Sequence, residues 1–343
     1  MSRLRSASLF LIVISVLLSC KDSTKVTDVI TFSGEYIAGS VKTASGQTKA
    51  ACWINNLLVE LPSTASGAVA TGLDLKGDVL YVCGYEQRSD GRMGTAHTPV
   101  VWANGARTVV ANHNALTSAI QIVGDDVFVS GTSFEDTIAG KRAVWWKNGS
   151  IYGVVTGGHS SEATGLFVDS LDVYVSGSEV VAEITRARLW KNGRVVELEG
   201  GDGMSEANGV VKRGDDVFVF GTFTPFVFPF TSKAAYWKNG RKVEMDLPDG
   251  GSSATMTDLR FWGETMYATG SYYSGLKYEA CYWENGMFKK MPADSHAEAR
   301  GISAIRNRIR VIGNLHHGAG VVWDDGTLIL QANGSRFNRI LYK

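Results

Sequence analysis

Three histidines and three glutamates have the types that could do chemistry at one centre: His113, His159 and His296, with Glu162, Glu206 and Glu298. Imidazole nitrogens and carboxylate oxygens are the donors of a catalytic divalent-cation site, where the metal activates water. If they converge, the chain is a metal-assisted hydrolase or lyase acting on a glycan or peptide at a channel mouth. Solvated loop residues are the competing reading. The histidines do not share one repeat offset, and no His-Glu-x-x-His pair fixes their geometry. The pair His316-His317 is open to the same two readings. No Gly-x-Ser-x-Gly elbow, Ser-His-Asp context or phosphate-cradling glycine loop is present. The expectation adopted is a protein without catalytic residues, resident metal or cofactor.

Two further sets suggest binding. The stretch Phe223-Thr224-Pro225-Phe226-Val227-Phe228-Pro229-Phe230 is far more apolar than a loop should be, and Tyr272, Tyr273 and Tyr278 stand in the corresponding place one repeat later. A further loop holds Arg88, Asp90, Arg92 and His97. Exposed, the aromatic groups mark a protein, sugar or membrane contact; folded back, they are a lid. The second set is one polar residue per repeat: Thr71, Ser118, Thr164, Asn208, Thr257, Arg300 and Asn338. Either these groups bond backbone or ordered water along a central channel, or they form a polar floor for a ligand. Arg300 stands apart, because a buried guanidinium needs an anion, a carboxylate or water.

The elements that must position these residues are read from a repeated phrase, a tryptophan followed by any residue and an Asn-Gly turn. It stands at Trp102, Trp146, Trp190, Trp237 and Trp283, with degraded copies at Trp53 (WINN) and Trp323 (WDDG). Successive tryptophans lie 49, 44, 44, 47, 46 and 40 residues apart, the range of a repeat architecture. In residues 161–200 the repeat divides into four strands: a at 163–168, b at 173–177, c at 187–190 and d at 195–198. Asn-Gly between apolar runs is a hairpin signal, since both residues accept positive φ. The residue three before each tryptophan is small or Pro and the residue just before it is apolar, so the tryptophan points from the opposite face.

Both faces of each sheet are therefore covered. The expected fold is all-β, a seven-bladed β-propeller of four-stranded blades. The first repeat starts at its b strand, 35–39, and the surplus segment 337–342 matches an a strand, so the C-terminal strand should complete the N-terminal blade and close the ring. The a–b and c–d turns then share one end, and the variable b–c and d–a loops share the other, where binding groups are expected. The pairs Asp125-Asp126 and Asp215-Asp216 lack the oxygen density of a calcium site and read as turn residues.

The Gly-ending strand followed by an Ala-containing strand ending W-x-N-G resembles repeats of the HAF type from exported bacterial proteins. That resemblance implies the fold and export, and brings no catalytic residues. Arg3 and Arg5 before the apolar run Leu9–Leu18 form a targeting segment. Its end, Leu17-Leu18-Ser19-Cys20, resembles a lipoprotein lipobox. The resemblance implies a signal peptide over 1–19, lipid on Cys20, a tether over 20–30 and the propeller over 31–343. It places the chain as an outer-membrane lipoprotein, periplasmic or surface-exposed, with Lys21-Asp22 similar to a surface-export signal. Lysine plus arginine equals aspartate plus glutamate at 34 each, and losing Arg3 and Arg5 leaves 32 − 34 = −2. Nucleic acid is therefore not an expected partner; a protein, peptide or glycan is, with the chain as a monomer. Cys52, Cys83 and Cys281 read as buried free thiols, with a Cys52–Cys83 bridge as the alternative.

Overall fold

A computed structural model describes residues 34–342, apart from 90–94, 135–139, 155, 157–159, 171, 249–250 and 306–307. Seven sheets of four antiparallel strands follow one another along the chain. Blade 4 shows the plan: strand a Ser161–Asp169, b Asp172–Val181, c Ile184–Lys191 and d Arg194–Val196. The strands extend beyond the expected limits toward the b–c/d–a end. In blade 2 this carries Arg88 and His97 into strands Val79–Ser89 and Thr95–Ala103 rather than a loop, and Asp90 and Arg92 lie outside the described residues. The ring closes as the sequence requires. Strand Ser335–Tyr342 pairs antiparallel with Glu35–Lys42, Tyr36 opposite Leu341 and Gly39 opposite Phe337. The chain is a seven-bladed β-propeller.

The core is divided into seven clusters, one at each interface between blades. Each contains the tryptophan of one blade and the apolar residue preceding the tryptophan of the blade before. Trp102 packs with Cys52, Trp190 with Trp145, and Trp53 with Val322 across the closure. Six of the seven tryptophans are fully buried and Trp53 is 4% exposed. A buried indole N–H calls for an acceptor, and in blades 2, 5, 6 and 7 the d–a loop of the preceding blade supplies it. Trp102 Nε1 donates to Pro62 O at 2.7 Å, Trp237 to Glu199 O at 2.6 Å and Trp323 to Pro292 O at 2.8 Å.

The asparagine of the phrase has a second task besides its turn. It sits at positive φ, between 44° and 52° in the six blades that carry it. Its Oδ1 accepts the backbone N–H that opens strand b, as Asn148 does from Val127 and Asn192 from Val173, both at 2.8 Å. Asp325 does the same for Ile309 at 2.7 Å, which explains why WDDG still works. In the three W-K-N-G copies the lysine pairs with an aspartate of the a–b turn: Lys147–Asp126, Lys191–Asp172 and Lys238–Asp216. Asp126 and Asp216 of the acidic pairs thus have protein partners at the a–b turn. Cys52, Cys83 and Cys281 are free and buried, and burial pushes the Cys52 thiol up to about 12.

A bulge interrupts every innermost strand at the same place. One residue has no opposite number in strand b: Asn338, Thr71, Ser118, Thr164, Asn208, Thr257 or Arg300. The bulge turns the carbonyl two residues earlier onto the b strand, where a glycine faces it in each blade: Gly39, Gly84, Gly131, Gly177, Gly221, Gly270 and Gly313. A Cβ there would stand inside the carbonyl oxygen's contact distance. Gly177→Ala is expected to destabilise the ring by about 2 kcal/mol or more, read as a fall in the chemical-denaturation midpoint. Gly153→Ala, where an added Cβ meets nothing within 4 Å, should leave the midpoint unchanged; equal effects would refute the steric account.

Candidate functional site

The seven bulge residues are the polar set picked out by sequence, and a bulge is a device for re-aiming a side chain. Five of them reach to the next blade and donate to the carbonyl just ahead of its bulge. Ser118 Oγ bonds Ala163 O at 2.6 Å, Thr164 Oγ1 bonds Ala207 O at 2.7 Å and Asn208 Nδ2 bonds Met256 O at 2.7 Å. Thr257 Oγ1 bonds Ala299 O and Asn338 Nδ2 bonds Ala70 O, each at 2.8 Å. Thr71 Oγ1 meets Thr117 Oγ1 of the next blade at 3.0 Å. Five of these side chains thus bond backbone of the next blade, and Thr71 Oγ1 also reaches Cys83 O of its own blade at 3.4 Å.

Arg300 departs from the belt. The carbonyl it would meet, Phe337 O, accepts instead from Asn314 Nδ2 at 2.9 Å. The guanidinium turns to Glu298, its Nη2 donating to Oε2 at 2.5 Å, and its Nε is buried without a partner. The belt encloses a central channel of about 1150 Å³, lined by Arg300 and most of the belt residues. Two positions before each bulge, toward the b–c/d–a end, stand Val69, Leu116, Glu162, Glu206, Thr255, Glu298 and Arg336. Arg336 escaped the sequence reading, although it shares an offset with the three glutamates; alignment on the bulge residue would have found it.

On the same end, the loop of blade 5 projects apolar side chains into solvent. Phe226 is 46% exposed, Val227 72%, Phe228 82% and Phe230 58%. Phe223 is buried and anchors the segment, so the stretch is a raised tip and not a lid. In blade 6 Leu276 and Tyr278 are exposed, and Tyr273 lies 5.3 Å from Tyr278 between ring centroids. Tyr272 differs from the expectation of a ligand contact. Strand alternation turns it into the interface core, 4% exposed, with its hydroxyl donating to Glu279 at 2.7 Å.

The metal candidates among the described residues do not meet. His113 lies against Trp146, with centroids 6.5 Å apart, whereas His296 lies against His316 at 5.7 Å and accepts the Tyr278 N–H through Nδ1. Glu162 pairs with Lys141 and Glu298 with Arg300. His159 lies outside the described residues, as do Cys20 and the leader. Among the described residues no group of three His, Cys, Asp or Glu side chains is placed to hold a metal ion.

No family model matches the chain, and no curated protein matches it in sequence. Solved structures do. Dihydro-heme d1 dehydrogenase NirN, in complex with DHE, is 10% identical over 92% of this chain and 76% of its own, with a TM-score of 0.51. The β-propeller domain of the trilobed protease from Pyrococcus furiosus is 12% identical over 79% and 85%, at 0.49. TolB from Acinetobacter baumannii is 10% identical over 90% and 66%, at 0.43. The likeness is one of fold.

One carboxylate braces the loop end by its ionisation. Glu86 is fully buried; Arg107 Nε and Nη2 donate to its two oxygens at 2.7 and 2.6 Å, and the Thr64 N–H adds a third bond at 2.9 Å. Burial pushes the carboxyl upward, but Arg107, the Thr64 N–H and Ser63 outweigh it and hold it at about 2, below the usual 4.5. A group depressed in the folded state stabilises fully above its unfolded value and loses that contribution as pH falls through the folded one. Wild-type stability should therefore fall more steeply between about pH 4.5 and 2 than that of Glu86→Gln, measured by denaturation at each pH; parallel profiles would contradict this.

Proposed function

We propose that this chain is a non-catalytic binding scaffold, lipid-anchored through Cys20 outside the cytoplasm, whose ligand face is the b–c/d–a end of the ring. The exposed aromatic tip of blade 5 carries this reading. Phe226, Val227, Phe228 and Phe230 stand in water together on one short segment. Contiguous exposed apolar groups on a rigid frame mark a contact surface. Tyr273 and Tyr278 of the next blade extend the surface toward the channel mouth. The partner is a protein, a peptide or a glycan, held by a monomeric ring. The anchor and the envelope location rest on residues 1–30 alone: the charged start, the apolar run and the Leu-Leu-Ser-Cys ending.

The test is a glycan array and a pull-down from envelope extract with the full chain, repeated with Phe226 and Phe228 both changed to Ser. Removing two central aromatic contacts should weaken capture about tenfold or more without changing the unfolding temperature. Capture that survives both changes would move the contact off this surface.

A further inference from the structure

The channel mouth is electrically lopsided. Where blade 7 meets blade 1 it carries Arg300, Arg336 and Lys42 against Glu298, a local balance of 3 − 1 = +2. Arg336 is exposed and makes no ion pair among the described residues, and Arg300 makes one hydrogen bond although a guanidinium has five N–H donors. These two arginines also depart from the pattern of the repeat. Arg300 stands where the other blades place a belt donor, and Arg336 stands where three blades place a glutamate. Beside them Tyr85 and Gln87 of blade 2 line the channel. Burial raises the Tyr85 hydroxyl's pKa, and the Arg336 guanidinium offsets part of that rise.

A second cavity leads away from this sector. A side pocket of about 140 Å³ is bordered by Arg336, Glu298, His296, His316 and Tyr278. Tyr278 is 47% exposed and belongs to the aromatic surface of blade 6. One path therefore runs from an aromatic face, past a guanidinium with open donors, into a channel walled by hydroxyl and amide groups.

We infer that this path is a subsite for an acidic oligosaccharide, with the carboxylate of a hexuronate residue on Arg336 and Arg300 and a neighbouring sugar ring against Tyr278. Guanidinium forks match a carboxylate in geometry as well as charge. The flat apolar face and polar rim of a pyranose match an aromatic ring beside hydrogen-bonding groups. The channel has room for several sugar rings. The inference deepens the proposed loop-face binding by naming its ligand, and it rests on that reading.

The test is calorimetric titration of the full chain, purified in detergent, with digalacturonate, its dimethyl ester and an acidic tripeptide. Digalacturonate is expected to bind at least about tenfold tighter than the ester, the worth of a charge-assisted pair, and to weaken as salt rises. Arg336→Gln and Arg300→Thr should each weaken it by about the same factor. Arg300→Thr restores the side chain used by three other blades, so folding is retained, and an unchanged unfolding temperature verifies both variants. Equal affinity for acid and ester, no binding of either, indifference to both arginine changes, or tighter binding of the tripeptide would each overturn the assignment. The Phe226→Ser, Phe228→Ser protein separates the two readings. If it still binds digalacturonate while partner capture also survives, the channel subsite stands although the blade 5 tip fails; if capture depends on the tip and digalacturonate does not bind the wild type, only the subsite is lost.

Discussion

In this ring one backbone distortion connects the glycines, the polar channel residues and the spacing of the repeats. Each innermost strand carries one residue more than its partner, and that residue's side chain is sent sideways to the next blade. Sheets packed face to face adhere through apolar side chains, which is a non-directional attraction. The bulge adds a directional bond between one blade's side chain and the next blade's backbone close to the axis, where six of the seven bulge residues are Ser, Thr or Asn. The same distortion pushes a carbonyl onto strand b, and glycine is the residue that tolerates it. The glycine that ends strand b in every repeat is the sequence image of that contact.

Outside the belt, the tryptophans perform the equivalent task with apolar area. Each indole fills the interface with the preceding blade, and Trp102, Trp237, Trp283 and Trp323 also tie its loop through Nε1. A blade is thus incomplete alone, because one of its faces supplies the tryptophan and the other receives one. This mutual need explains why the final strand must return to the first blade. Trp53 has its partner Val322 only in the last blade, and Phe337 of the closing strand packs edge-on to Trp53 with centroids 4.7 Å apart.

Much of this was legible from residues alone. The W-x-N-G phrase, its apolar predecessor and the surplus C-terminal segment specify blade number, facing and closure, because each reports a local geometric need that recurs seven times. The polar set was legible as a set, but not its purpose. A bulge leaves no mark in single-residue periodicity, so Thr164 and Ser118 read equally well as channel lining or ligand floor. Site residues were harder for the same reason. Tyr272 and Tyr273 are adjacent and alike in sequence, and strand parity sends one into the core. Arg336 is unremarkable until the bulge sets its register with Glu298. The histidines sit on loops whose paths follow no repeat, so spacing could not decide whether they met.

The central claim is that directional bonds between bulges hold the blades in register. Denaturation by guanidinium chloride of Ser118→Ala, Thr164→Val and Thr257→Val, singly and combined, tests it most directly, since each change removes one inter-blade donor with little change of volume. The account predicts a loss of about 1 kcal/mol for each and about 3 kcal/mol together. A triple variant that unfolds at the wild-type midpoint would contradict it and leave the tryptophan interfaces as the sole source of cohesion.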